Sequence, residues 1–124
     1  MKITKFFLVI LAITFISSCS KNLEKESLIK EKNLESQVYE AYEKGMRSLN
    51  SGDVLFAAKK FNEAEILFPQ SEWAPKSSLM AAYSYYHDDY NNRAIKELES
   101  FFKKYPNDTT RPYAHYLLAM SHYN

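Results

Sequence analysis

Apolar side chains recur along two stretches of this chain with the spacing of an α-helix, and the second stretch repeats the first thirty-seven residues later. Steps of three and four residues place such positions on one face of a helix, where they pack against a neighbouring element. The pattern therefore predicts two amphipathic helices in equivalent positions. The first stripe comprises Ala57, Phe61, Ala64, Leu67 and Phe68, and the second comprises Ala94, Leu98, Phe101 and Tyr105.

Further residues recur at the same interval. Pro69 and Pro106 are thirty-seven residues apart, and so are Pro75 and Pro112. Self-similarity at a fixed period of this length is the signature of a helical-repeat protein, in which each unit packs on its neighbours. A further series consists of small residues, which allow two helices to cross closely: Gly45, Ala82 and Ala119.

Turn-forming residues precede each stripe. Gly52 suits the end of one helix, and Asp53 suits the N-cap of the next. Residues 88–92 interrupt the helical pattern at the equivalent place. Lys103 and Lys104 are expected in the last turn of the second helix, where the helix dipole favours cations. Each repeat is therefore predicted to be a helix, a tight turn, a second helix and a proline-containing connection.

This order of elements resembles the tetratricopeptide repeat, with Phe101 as a departure because the family prefers alanine there. The predicted fold is an all-α, tetratricopeptide-type helical-hairpin solenoid of about two and a half repeats. The third repeat begins at Pro112 and stops inside its first helix. We therefore expect either a fragment of a longer chain, which we favour, or a second protein that completes the repeat.

The N-terminus has the organisation of an export signal. Lys2 and Lys5 form a positively charged segment before an apolar run, residues 6–16. This run is shorter than the ~20 residues that a membrane-spanning helix needs. We therefore interpret residues 1–18 as a signal peptide.

The signal ends in a motif that resembles the lipobox of bacterial lipoproteins. The motif is Ile16-Ser17-Ser18-Cys19, although leucine first and alanine or glycine third are commoner in that family. The resemblance implies that Cys19, the single cysteine of the chain, is joined to diacylglycerol and anchors the protein to a membrane. The alternative is a plain signal peptide in which Cys19 is incidental.

A polar segment follows the lipobox. Residues 19–37 are dense in charges of both signs, and we interpret them as a tether, flexible or transiently helical, before a repeat domain at residues 38–124. The alternative that residues 28–34 already dock on the domain stays open. By family resemblance, Ser20 after the cysteine implies export to the outer membrane of a Gram-negative bacterium, with the domain facing the periplasm.

Charge and composition argue against nucleic-acid binding and catalysis. Without Lys2 and Lys5 the chain keeps 14 of its 16 basic residues beside 15 acidic ones, so it has no basic stripe to hold phosphates. His115 and His122 are seven residues apart, which does not fit an i, i+4 metal pair. No phosphate loop or nucleophile–base arrangement is visible. We expect no enzyme activity, no cofactor, and no catalytic or metal-binding residues.

The first helix of each repeat, here called the A helix, lines a concave groove in tetratricopeptide scaffolds. Tyrosine has a large apolar face with a polar tip and methionine is adaptable, so the side chains that the period assigns to this groove suit a bound peptide. The alternative is that this aromatic stripe belongs to the core. Our preferred positions are Tyr42, Tyr83 and Tyr116. The predicted groove comprises Tyr39, Tyr42, Met46, Leu79, Tyr83, Tyr86, Tyr113, Tyr116, Met120 and Tyr123, with Leu49, Lys76 and His87 on the same side.

Several motifs are similar to those of the BamD family of outer-membrane protein assembly factors. The similarity covers most of residues 36–124, with one residue more between Tyr90 and Ala94 than is usual in the family. The motifs are Tyr42-Glu43-Lys44-Gly45, Gly52-Asp53, Phe68-Pro69, Ala82-Tyr83-Ser84-Tyr85-Tyr86, Arg111-Pro112-Tyr113-Ala114 and Tyr116-Leu117-Leu118-Ala119-Met120.

The resemblance implies a lipid-anchored periplasmic scaffold of the β-barrel assembly machinery, which helps insert and assemble β-barrel proteins in the outer membrane. The implied partners are a BamA-type barrel subunit, other Bam lipoproteins and unfolded outer-membrane β-barrel precursors. The signals of such precursors end in an aromatic residue and have alternating apolar positions. Two alternatives stay open: another periplasmic tetratricopeptide-repeat scaffold of the cell envelope or of division, and the helical part of a larger lipoprotein enzyme.

Overall fold

The structure is a computed structural model that describes the backbone of residues 23–123 and the side chains of residues 33–123. The helical hairpins belong to a compact unit that begins at Lys32. Between residues 23 and 123 all regular secondary structure is helical, which confirms the all-α prediction. The helices are α1 (Leu23–Asn50), α2 (Val54–Leu67), α3 (Trp73–His87), α4 (Asn91–Lys104) and α5 (Arg111–Tyr123).

The helices form hairpins with the predicted period. α1 pairs with α2, α3 pairs with α4, and α5 occupies the place of the next A helix. Ala57 on α2 and Ala94 on α4, one period apart, are both fully buried. Gly45 on α1 lies so close to Phe61 on α2 that a β-carbon at residue 45 would be 2.7 Å from the phenyl Cε1. Gly45, Ala57 and Ala94 therefore mark close approaches of paired helices, as the helical-repeat interpretation requires. Ala119, the third member of the predicted series, is exposed on α5.

The tight turns inside the two hairpins share one backbone geometry. Gly52 has a φ of 84° and Asp89, one period later, has a φ of 60°. This left-handed region is open to glycine and, among other residues, is most accessible to asparagine and aspartate. At each turn two successive amides bond carbonyls three and five residues earlier, the Schellman arrangement. The four bonds are Gly52 N to Leu49 O (3.0 Å), Asp53 N to Ser48 O (2.9 Å), Asp89 N to Tyr86 O (3.2 Å) and Tyr90 N to Tyr85 O (2.9 Å).

The N-caps of α2 and α4 differ. The Asp53 carboxylate accepts a hydrogen bond from the Phe56 amide at 3.2 Å, which confirms the predicted cap. Tyr90 occupies the equivalent position and makes no side-chain cap bond. Its ring instead lies 5.4 Å from the Arg93 guanidinium. Lys103 and Lys104 fall in the last turn of α4, as predicted.

α3 is the central helix of the structure, since it packs on both α2 and α4 and also touches α5. Small side chains cover its buried faces, which lets both neighbours approach closely. Its fully buried residues are Ala74, Ser77, Ser78, Ala81, Ala82 and Ser84. The largest described core cluster joins α3, α4 and α5 and contains Leu79, Ala82, Leu98, Phe101, Ala114 and Leu117.

The two hairpins distribute their core volume differently. In the first, the small Ala64 on α2 leaves room beside it for the large ring of Trp73. One period later the large Phe101 occupies the Ala64 position, and Thr110 takes the place of Trp73. Interiors are close-packed, so a gain of volume at one position requires a loss nearby. This exchange accounts for the departure of Phe101 from the tetratricopeptide pattern.

A buried carboxylate links α2 to the end of α4. Glu65 is only 5% exposed, and its Oε1 accepts hydrogen bonds from the Tyr105 hydroxyl at 2.7 Å and from the Lys104 ammonium at 3.0 Å. Burial of a carboxylate is tolerated where such donors replace water. The three side chains therefore fasten the second helix of one hairpin to that of the next.

The predicted tether contains the first turns of α1. The helix begins at Leu23 and runs to Asn50, so the predicted tether is helical from residue 23 onward. Residues 23–37 are rich in glutamate, lysine and leucine, which favour helix, and a helix already formed extends cheaply. Val38 is the first buried residue among the described side chains. Residues 1–18, Cys19 and the side chains of 28–32 lie outside the described part of the chain.

Candidate functional site

The A helices α1, α3 and α5 present aromatic side chains that form two clusters. The first cluster joins α1 to the start of α3 around Trp73. Its indole lies 5.4 Å from the ring of Tyr39, edge to face, and 5.0 Å from the ring of Tyr42. The Lys76 ammonium lies 4.8 Å from the centre of the same indole. This first aromatic cluster thus carries one positive charge at its edge.

The second aromatic cluster joins the end of α3 to α5. The rings of Tyr113 and Tyr116 are 6.3 Å apart. Burial raises the pKa of Tyr113, and the neighbouring Tyr83, Tyr116 and Tyr86 raise it further because they disfavour a negative charge there. Tyr83 and Tyr86 of α3 pack against the core cluster that includes Ala114 and Leu117 of α5, the helix that carries Tyr113 and Tyr116. His87 extends the cluster, with its ring 6.0 Å from that of Tyr83.

The exposed part of the predicted groove is largest on α5. Tyr116 is 58% exposed and Tyr123 is 86% exposed, whereas Met120 between them is half-buried. On α1, Tyr39 is 49% exposed. Exposed tyrosines of this kind offer apolar contact area together with hydroxyl groups for hydrogen bonds. We call this surface, formed by both aromatic clusters and Tyr123, the tyrosine face.

Other predicted groove residues are engaged in packing. Leu79 is only 7% exposed and lies in the core beside Leu98 and Leu117, so we correct its assignment from groove to core. Tyr42 lies against the ring of Phe61 at 5.3 Å. Leu79 is buried and Tyr42 is half-buried, so little of either side chain remains accessible to a partner. Partly buried groove residues that pack against core clusters are Tyr42, Met46, Leu49, Tyr83 and Tyr86.

Sequence reasoning missed Trp73. This residue is the organising ring of the first aromatic cluster, yet it has no aromatic counterpart one period later, where Thr110 stands. A search for repeated positions therefore passes over it. Its position three residues before Lys76 on the same helix was the available signal, because such residues share a helix face.

Two cavities beside α2 lie outside the tyrosine face. Their volumes are about 510 Å³ and about 370 Å³, and the exposed side chain of Ile66 lines both. Tyr85 also lines the larger cavity, and Glu65 the smaller. The Glu65 carboxylate is already bonded by Tyr105 and Lys104, so these cavities mainly offer apolar surface.

The tyrosine face and helical repeats coincide with a family match. The model of the YfiO family, described as "Outer membrane lipoprotein", matches residues 34–124. The chain belongs to this family. Its match begins in α1 and extends through every later helix, so it includes both aromatic clusters.

Relatives from several bacteria support the same family. The chain is 30% identical over 114 residues to a protein of Caulobacter vibrioides, 33% identical over 87 residues to one of Neisseria gonorrhoeae, and 28% identical over 124 residues to one of Rickettsia prowazekii. All three are named "Outer membrane protein assembly factor BamD". The similarity to the BamD family that the sequence motifs indicate is thereby confirmed.

The matches cover most of this chain but a minor part of each relative. They include 92% of this chain and 36% of the Caulobacter protein, 70% and 33% for the Neisseria protein, and 99% and 47% for the Rickettsia protein. The chain thus spans between a third and a half of the length of these curated relatives. Among the helices of residues 23–123, none is both long and apolar enough to cross a membrane.

Proposed function

We propose that this chain is a scaffold in the β-barrel assembly machinery and helps insert and assemble β-barrel proteins in the outer membrane. The observation that carries this proposal is the tyrosine face on three successive A helices of a chain in the YfiO family. Tyr39, Tyr113, Tyr116 and Tyr123 are exposed there. Such a surface binds extended peptides through apolar contact without demanding one sequence.

The substrates in this proposal are unfolded outer-membrane β-barrel precursors. Alternating apolar side chains of an extended segment point to one side, with a repeat of about 7 Å. The exposed rings of Tyr113 and Tyr116 provide apolar contacts at a similar spacing, since they are 6.3 Å apart. The partners in the assembly would be a BamA-type barrel subunit and other Bam lipoproteins.

A double variant of the exposed tyrosines tests the proposed groove. We expect Tyr113→Ala with Tyr116→Ala to weaken binding of a precursor peptide about tenfold, because exposed tyrosines at the centre of an interface are frequent energetic hot spots. The probe is a synthetic peptide with alternating apolar positions and a terminal phenylalanine, measured by fluorescence anisotropy. These two tyrosines are preferable to Tyr83, whose loss would also disturb the core that it contacts.

Phe56→Ala is the matched control for this experiment. Phe56 is an aromatic residue of similar exposure, 42%, on α2. Its removal should leave peptide binding unchanged. If a scrambled peptide binds as well as the precursor peptide, or if the control weakens binding as much as the double variant, the tyrosine face is not the precursor site.

We further propose that lipidated Cys19 anchors the chain in the outer membrane, with the repeats in the periplasm. Cys19→Ala should release the exported protein from the membrane fraction, because several acyl chains supply the anchoring. Fractionation of cells and mass measurement of the mature N-terminus provide the test, with Ser18→Ala as a control that keeps a small residue beside the cysteine. Membrane association that persists in the Cys19→Ala variant, together with an unmodified thiol in the wild-type protein, would contradict the anchor.

A further inference from the structure

Lys76 lies between the two aromatic clusters of the tyrosine face. It is exposed on α3, three residues after Trp73 and seven before Tyr83. Seven residues are about two helical turns, so Lys76 and Tyr83 lie on one side of α3 with ~10 Å between their backbones. The Lys76 ammonium therefore sits beside one aromatic cluster while the other begins two turns further along the same helix.

The charge of Lys76 is not balanced within the tyrosine face. Lys76 makes no ion pair within 4.0 Å among the side chains of residues 33–123, and none of the residues assigned to the groove is acidic. On α1, Glu40 pairs with Lys44 and Glu43 pairs with Arg47. Glu72, the exposed N-cap of α3, lies four residues before Lys76 but forms no ion pair with it among the described side chains. The ammonium rests on the face of Trp73, a weak contact at an exposed site that a carboxylate can replace.

We propose that the tyrosine face selects extended segments that carry an internal aspartate or glutamate between aromatic or aliphatic residues, and that Lys76 pairs with this carboxylate. This inference rests on the proposed function, and it names a chemical feature of the bound segment. Aromatic surface continues on both sides of Lys76, so the bound chain passes across it. The carboxylate therefore belongs to a side chain rather than to a chain end.

The lengths of the two molecules agree with this arrangement. Side chains on one side of an extended segment recur about every 7 Å, so the second and fourth residues from the carboxylate, at about 7 and 13 Å, bracket the ~10 Å between Lys76 and Tyr83. A carboxylate at Lys76 thus places a residue of the segment beside the second cluster, where Tyr113 and Tyr116 are exposed. In the other direction the segment meets Tyr39 and Trp73, which are in contact. The positive charge of Lys76 then favours segments with a carboxylate over those without one, on an aromatic surface that otherwise accepts many sequences.

A pair of matched peptides tests the inference on the full chain in lipid nanodiscs. Both are nine-residue, dye-labelled, terminally blocked peptides with alternating aromatic positions, and they differ only in a central glutamate or glutamine. We expect about fivefold tighter binding of the glutamate peptide at low salt, and a smaller difference at high salt, as for a partly exposed ion pair. The emission of Trp73, the single tryptophan of the chain, should change as Lys76 leaves its ring.

Substitutions of lysines locate the effect. Lys76→Gln should remove the preference for glutamate, Lys76→Arg should keep it, and Lys59→Gln, on the cavity side of α2, should leave it unchanged. Equal binding of the two peptides by the wild-type chain, or a preference that survives in Lys76→Gln, overturns the inference while the groove itself stands. Binding that appears only when the same peptides carry a free C-terminal carboxylate overturns the side-chain assignment. Failure of both peptides to bind overturns the inference and the proposed groove together.

Discussion

Replacement of Gly45 by valine is expected to lower the free energy of unfolding by about 3 kcal/mol, because it forces a side chain into an occupied helix crossing. A β-carbon at this position would lie 2.7 Å from Cε1 and 2.8 Å from Cδ1 of Phe61. Phe61 is fully buried and its ring also contacts Tyr42, so it has little freedom to move aside. Chemical denaturation followed by circular dichroism measures the loss.

The adjacent Lys44→Val is the control for Gly45→Val. Lys44 is exposed on the same helix, and among the side chains of residues 33–123 its ion-pair partner is Glu40, so its replacement should cost less than about 1 kcal/mol. A second variant, Phe61→Leu, makes room at the crossing. The double variant Gly45→Val/Phe61→Leu should lose less stability than the sum of the two single losses. Additive losses would show that Gly45 and Phe61 do not meet as described.

Tyr105→Phe is expected to cost about 2 kcal/mol, because it leaves a buried carboxylate short of a donor. The Tyr105 hydroxyl donates to Glu65 Oε1 at 2.7 Å, and Lys104 alone remains as donor after the substitution. Lys104 is half exposed, so water already competes for its ammonium. The loss should appear in denaturant titrations at neutral pH. Tyr123→Phe, at a tyrosine that is 86% exposed, is the matched control and should have almost no effect.

The stability that the Tyr105 hydroxyl contributes is expected to fall at high pH. Burial, first, and then the hydrogen bond and charge of Glu65 raise the pKa of Tyr105 above its ordinary value of 10.0. The folded state therefore holds this proton more tightly than the unfolded state, and ionisation favours unfolding. The advantage of wild type over Tyr105→Phe should be complete below pH 10 and shrink as the pH rises above it. An advantage that stays constant or grows between pH 9 and pH 12 would contradict this account.

Local sequence signals were sufficient for the helices, for the N-cap of α2 and for the period. Gly52 and Asp53 specify a helix end and a helix start through their own backbone and side-chain preferences, and the structure has both. The stripes of Ala57 and Ala94 predicted equivalent buried positions, and both are fully buried. These features depend on interactions within a few residues of the chain, which the order of residues alone determines.

The exposure of the groove residues was not decided by the period. Tyr42, Leu79 and Tyr116 occupy one register, yet Tyr42 is half-buried, Leu79 is 7% exposed and Tyr116 is 58% exposed. The register gives the direction in which each side chain leaves its helix. How much of it stays accessible depends on the volume of the helices that pack over it, which a periodic pattern does not contain.

The all-helical repeat, its turns, the family and the helix sides that bear tyrosines could therefore all be predicted from the order of residues. The packing of the helices was needed to show that Trp73 organises the first aromatic cluster, that Lys76 rests on it, and that Glu65 bonds to Tyr105. Helix and turn formation follow from neighbours along the chain. The contacts of Trp73 with Tyr39 and of Glu65 with Tyr105 join residues that are distant in the sequence, and the contact of Lys76 with Trp73 depends on the conformations of both side chains. Such contacts exist only where packing brings the two groups together.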